Sequence, residues 1–302
     1  MYGRAGSGSG FATTAFDAVV APVPKYGGHS ASMNCDHIRP APGCPSCDAE
    51  VAAAVAARAA APAPVRASSR GVRTLTEARV AFPRVDQVSR ATVAQLADLK
   101  DRYFQLQPEP SSVAHEYAAL NRAMFSPGGL PQATPEDFWA FITSPTIAAP
   151  GNLATFYAGW KKNGAEATSA SLRQTIEHLL RGPGEEEDRL TEMVEGGTYG
   201  VGVVLLIKVL CVMQPDRFLA LLPYESSNGK GKQDIGRLVF GLDMPNSDRT
   251  GLSIGRLAYW SNDLLRDALQ ALPGPAFVDL EHAKDFLWEA FCTLQRWPSR
   301  FD

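Results

Sequence analysis

Between Val201 and Met213 the chain reads VGVVLLIKVLCVM, a run that is apolar apart from Lys208. A bilayer core needs about 20 consecutive apolar residues, so this run is too short to span a membrane, and it carries a charge at its middle. The pattern predicts a central helix buried by the rest of the fold. The chain has the material to bury it: 45% of its 302 residues are hydrophobic and 20% are charged, with a net charge of -3. That balance excludes a chain disordered throughout and a strongly basic nucleic-acid binder. A phosphate-binding surface would have to be local.

Helical periodicity surrounds the apolar run. Val93, Leu96, Leu99, Tyr103 and Leu106 recur at spacings of three and four between Ser89 and Leu106, and Pro108 and Pro110 end the pattern. Ser111 or Ser112 then starts a helix bearing Val113, Tyr117, Leu120 and Met124. Thr134-Pro135-Glu136-Asp137 reads as a helix start, with Thr as N-cap and Pro at the first helical position. Further helices are predicted over Ser169–Arg181, Glu185–Glu195, Lys232–Phe240, Gly255–Leu272 and Asp279–Trp297, with a short piece at Leu219–Leu222. Alternation of the strand type is scarce and predicts at most a short strand or two near residues 74 to 82. The expected fold is mainly α: a helical domain over residues 73 to 302, preceded by a flexible segment.

That preceding segment differs in composition, being dominated by Gly, Ser, Pro and Ala. It divides into a flexible N-terminus over residues 1–30, a cysteine-bearing stretch over 31–50 and an Ala/Pro-rich linker over 51–72, in which Pro62 and Pro64 end a short Ala-rich run. Residues 1 to 80 carry 8 Lys/Arg against 5 Asp/Glu, and the remainder carries 21 against 27. The first twenty residues contain no continuous apolar core followed by a cleavage site, which predicts a cytoplasmic, reducing compartment and no membrane association.

Within the cysteine-bearing stretch, CDHIRPAPGCPSC spaces its ligands as Cys-x-His-x6-Cys-x2-Cys: Cys35, His37, Cys44 and Cys47. Two Cys separated by two residues can present both thiolates to one ion, and Pro40, Pro42 and Gly43 supply a turn for the first pair. The set predicts a closed, structural zinc knuckle. His29 competes with His37 as fourth ligand, and a tail of three reduced cysteines is the alternative. Cys211 and Cys292 lie in helix-like apolar segments and read as small buried hydrophobes.

SNGKGKQD, at residues 227 to 234, fails the test for a phosphate loop. Gly229 and Gly231 are two apart where the Walker pattern needs four residues between glycines, and Gln233 stands where a hydroxyl is required. It remains either a solvated basic turn or a phosphate contact through Lys230 and Lys232. Gly196 to Gly202, GGTYGVG, is similar to a helix-hairpin-helix turn, whose N–H groups around Gly200 and Gly202 would meet a DNA phosphate. Glycines that merely cap and turn are the alternative. In a glycosylase built that way Asp216 is the nearest acid, although capping a helix explains it more simply. His115, His178 and His282 fall on three separate helices and form no hydrolytic motif.

One resemblance covers about a third of the chain. Gly200-Val201-Gly202, Gln214-Pro215-Asp216-Arg217-Phe218, Tyr224, Gly229-Lys230-Gly231-Lys232, Val239-Phe240-Gly241-Leu242 and Pro245 follow in order. Ile254-Gly255-Arg256-Leu257, Ser261-Asn262-Asp263-Leu264-Leu265 and Phe286-Leu287-Trp288 complete the series. Their order resembles a helical region beside the motor of bacterial restriction NTPases of the McrB type. The AAA+ motor itself is absent here, so NTP hydrolysis does not carry over. The resemblance implies a non-enzymatic, DNA-directed or interaction module of a restriction or anti-phage system, with a separate AAA+ motor or nuclease chain as partner, or else a fragment whose motor lies beyond residue 302. The alternatives are a DNA glycosylase-like enzyme and a purely structural partner protein, the latter favoured by the acidic balance after residue 80.

Overall fold

Short polar side chains set the starts of several helices. Ser89 accepts from Thr92 N at 3.0 Å, and Thr134 exchanges hydrogen bonds with Asp137 in a capping box ahead of Pro135. The computed structural model describes residues 72–147, 153–196, 202–221, 223–226 and 229–295. In chain order the helices are α1 (Leu75–Ala81), α2 (Arg90–Leu106), α3 (Ser112–Met124), α4 (Pro135–Thr143), α5 (Ala154–Asn163) and α6 (Ala165–Arg181). They continue with α7 (Glu186–Glu195), α8 (Val203–Met213), α9 (Lys232–Phe240), α10 (Ser247–Thr250), α11 (Ile254–Gln270) and α12 (Leu280–Gln295). Single 3-10 turns lie at Val85–Gln87 and Leu130–Gln132, and there is no strand among the described residues.

The mainly α expectation therefore holds for the domain, with two corrections and two additions: the short piece expected at Leu219–Leu222 is not helical at residues 219–221, and the four-residue α10 lies where no helix is expected. Where a short strand was predicted, residues 75 to 81 are helical. Thr74 accepts from Glu77 N at 3.2 Å while the Glu77 carboxylate accepts from Thr74 N at 3.0 Å and Arg73 N at 2.8 Å. This reciprocal cap satisfies donors that would otherwise be orphaned, and Ala78 and Phe82 then fall on one buried face. The longer addition is α5, which begins without a side-chain cap and is separated from α6 by Gly164 alone, at φ +82°. The expected zinc knuckle and flexible segment lie outside the described residues, except that Val72, the end of the expected linker, is buried.

Two apolar clusters form the interior. In the first, α1, α2, α9, α11 and α12 bring together Leu96, Phe240, Trp260, Leu265, Phe286 and Phe291. In the second, Phe125, Phe138, Phe141, Leu172, Ile176 and Leu206 come from or adjoin α3, α4, α6 and α8. As the apolar run predicts, Leu205 to Val212 of α8 are all buried, Lys208 included. Helix α11 serves both clusters: Trp260 belongs to the first, and the adjacent Tyr259 to the second. No helix among the described residues is long and apolar enough to cross a membrane.

Candidate functional site

The phrases of the sequence that stand far apart meet around α11. Asn262, buried on that helix, accepts from Leu219 N at 2.9 Å and donates to Arg217 O at 2.7 Å. One amide thus fixes the Pro-Asp-Arg-Phe turn to the Ser-Asn-Asp stretch. Arg217 lies over the Tyr259 ring at 4.9 Å and pairs with Glu186 at 3.0 Å. Tyr224 donates its hydroxyl to Pro245 O at 2.5 Å, and Gln233 donates to Met244 O at 3.1 Å and Asn246 Oδ1 at 2.8 Å. At the other end of α11, a Cβ on Gly255 would lie 1.9 Å from Glu187 O. The missing side chain is what allows α11 to press onto α7.

The Gly-Lys-Gly-Lys turn is built on this frame, and its two lysines have opposite fates. Lys232 is the first residue of α9 and is buried, with Nζ 3.4 Å from Ala258 O on α11. It is not at the surface, so it does not present a charge to a phosphate there. Burial pushes its ammonium down to about 8. Gly231 has no room for a side chain, since a Cβ would stand 2.5 Å from Tyr224 O. Lys230 is exposed and its Nζ sits 5.8 Å from the ring centroid of Trp288, itself 37% exposed. A strut, a spacer and a projecting cation over an indole are thus set in three consecutive positions.

Other buried cations follow the pattern of Lys232, bonding backbone oxygen rather than facing an opening. Lys208 donates to Phe141 O at 3.0 Å and Ser144 O at 2.6 Å, so it closes the C-terminal end of α4, and burial holds it at about 8. Lys100 donates to Leu272 O at 3.2 Å, just past α11, and its value is lowered by burial. Cys211 is a buried small hydrophobe, as expected, with its thiol pushed up to about 12 by burial; Cys292 is only half-buried.

The remaining expected site residues are dispersed. Gly200 lies outside the described residues, together with Cys35, His37, Cys44, Cys47 and His29. Gly202 is the exposed, extended N-cap of α8. Asp216, at the opposite end of α8, is exposed on a turn at residues 215–217 and caps no helix, because no helix begins among the described residues between it and Lys232. His115 pairs with Asp279 at 2.6 Å, His178 with Glu192 at 3.0 Å, and the buried His282 with Gln107 O at 2.9 Å.

Two groupings escape the sequence reading. Lys284 lies 2.6 Å from both Glu281 and Asp285, which raise its value, while burial raises that of Glu281. The second is aromatic: Trp139 of α4 meets Phe156, Tyr157 and Trp160 of α5 at centroid distances of 5.7, 5.3 and 5.2 Å. The spacing of Phe156, Tyr157 and Trp160 in the sequence carries that signal, but without the helix assignment it has no face to belong to. No group of three or more His, Cys, Asp or Glu among the described residues is placed to hold a metal. No protein-family model, curated protein or solved structure matches the chain.

Proposed function

We propose that the chain is a non-enzymatic binding module of a DNA-directed bacterial restriction or anti-phage assembly, acting beside a separate AAA+ motor or nuclease chain as the McrB-type resemblance implies. The observation that supports this reading is the turn that buries Lys232 and projects Lys230 over the exposed indole of Trp288. A cation for a phosphate beside an aromatic face for a base is the combination that sequence-tolerant single-strand contacts use. The segment bearing Cys35, His37, Cys44 and Cys47 is the second contact in this proposal, a zinc knuckle tethered to the helical domain.

The test is a titration of the zinc-supplemented full chain with a single-stranded oligonucleotide, followed by tryptophan emission at several salt concentrations. Quenching is expected, with an affinity that falls as salt rises. Lys230→Ala should weaken it and lower the salt slope by about one, whereas Trp288→Ala should weaken it with the slope unchanged. The purified chain should hold about one zinc, lost in Cys44→Ser. An absence of binding even at low salt removes the nucleic-acid part. It would leave the reading of a protein-only partner, which the 27 acidic against 21 basic residues after position 80 favour.

A further inference from the structure

Lys232 sits two residues from the exposed Lys230, in surroundings that suit an amine better than an ammonium. Among the described residues its Nζ makes one hydrogen bond, a long one to Ala258 O at 3.4 Å, although an ammonium carries three donors. Lys208, equally buried, bonds two carbonyls at 3.0 and 2.6 Å. Lys232 is also the first residue of α9, where the helix dipole presents its positive end.

The charges around it give little relief. Burial weighs on it first, and the two groups that offset this are weak ones. The Cys211 thiol of α8 is itself pushed up to about 12 by burial and stays uncharged. Asp263 of α11 is already held by Arg79 of α1 at 3.0 Å and by Arg266 at 3.2 Å. Helix α12, which packs on α9, carries Glu281 and Asp285 bound to Lys284; α2, which packs there too, carries Tyr103 and the Lys100 that bonds Leu272 O. On α9 itself, Asp234 accepts from Gly231 N at 3.1 Å and Arg237 faces Asp243 at 4.0 Å. Among the described residues Lys232 has no ion pair, and a buried cation without one is costly.

The same residue fastens the turn. Lys232 N donates to Pro223 O and Gln233 N to Tyr224 O, each at 3.0 Å. Gly231 lies so close to Tyr224 O that a Cβ would stand 2.5 Å from it. The first turn of α9, the 223–224 backbone and the residue before Gly231 therefore move together.

We infer that Lys232 is a proton-sensitive latch for the Lys230–Trp288 contact: uncharged, it seats the first turn of α9 on α11, and charged, it drives that turn away and takes Lys230 with it. This regulation rests on the reading of that contact as a single-strand site. A released lysine has its ordinary value of 10.5 and the seated one about 8, so the seated form binds fewer protons and is favoured as pH rises. The proton changes the fraction of chains in which the contact is formed.

Two measurements on the zinc-supplemented full chain test this. Trypsin cleaves after an unburied lysine, so cleavage after Lys232, located by mass spectrometry and normalised to a peptide standard at each pH, reports release. Cleavage after Lys208, buried in α8, reports global unfolding. While Lys208 stays intact, cleavage after Lys232 should fall about tenfold from pH 8 to about pH 9.5. Over the same interval the native chain should bind the single-stranded oligonucleotide more tightly, against the ordinary trend of lysine contacts losing charge. Lys232→Met should show no such rise. Cleavage after Lys232 that is absent, constant with pH or found only with cleavage after Lys208 would overturn the latch, as would a pH-dependent cleavage that leaves affinity flat. Absence of oligonucleotide binding at every pH fails the single-strand reading instead, and the cleavage alone then decides the latch.

Discussion

Lys230 and Lys232 differ in nothing that a residue-by-residue reading can use: each follows a glycine in the same basic turn. What separates them is that Lys232 opens α9 beneath α11, a relation set by contacts with a carbonyl 26 residues further on. Lys208 is the complementary case. Its burial is legible because apolar residues flank it on every side, but its oxygen partners in α4 lie more than 60 residues earlier and leave no local trace. A lysine held at about 8 against an ordinary 10.5 has a consequence for stability. Between those values the unfolded chain binds more protons than the folded one, so stability rises with pH across the window. The unfolding free energy of the native chain, read from urea denaturation, should therefore climb relative to that of Lys208→Met between pH 8 and about pH 9.5, by up to about 1.4 kcal/mol for each unit crossed. A difference that stays flat with pH would show that Lys208 titrates at its ordinary value.

At the scale of elements, legibility followed capping chemistry and periodicity. Helices α2, α4 and α9 begin where Ser89, Thr134-Pro135 and the Gly231-Lys232 step place them. Helix α1 was misread because seven residues are too few to establish a period, and the Thr74-x-x-Glu77 cap was the stronger signal. Helix α5 was missed because Gly159 interrupts it and no polar side chain caps its start. The junction of α7 and α11 is written in a single residue, Gly255. Alanine in place of glycine inside a helix ordinarily gains about 1 kcal/mol. Here the added methyl would meet Glu187 O and the Thr191 hydroxyl, at 1.9 and 2.6 Å, so Gly255→Ala should instead lose about 1–3 kcal/mol. Ser253→Ala, which adds no bulk but removes both the cap of the same helix and the hydrogen bond that Thr191 of α7 donates to it at 2.9 Å, should cost about 1–2 kcal/mol. Chemical denaturation of the two variants side by side distinguishes close approach from capping, and a neutral Gly255→Ala would refute the former.

For the whole molecule, the order of phrases in the sequence becomes intelligible as packing. Asn262 ties down the turn of Arg217 and Leu219, Tyr224 reaches Pro245, and Gln233 reaches Met244 and Asn246. Asn262, Arg217, Tyr224 and Pro245, which belong to the phrases that carry the resemblance, are thus fastenings between those phrases. The surface on which the proposed contact rests, Trp288 with Lys230, depends on which side chains remain outside once those fastenings close. Sequence names Lys230 and Trp288 but neither pairs them nor tells that both stay outside, because exposure is a property of the assembled helices. One consequence concerns heat. Tyr259 and Trp260 are successive residues of α11, yet they belong to the two different apolar clusters. Neither cluster can loosen while the other keeps α11 in register, which predicts a single calorimetric transition whose measured enthalpy equals that from its temperature dependence. Two separable peaks, or tryptophan emission and helical ellipticity changing at different temperatures, would show that α11 does not couple the clusters.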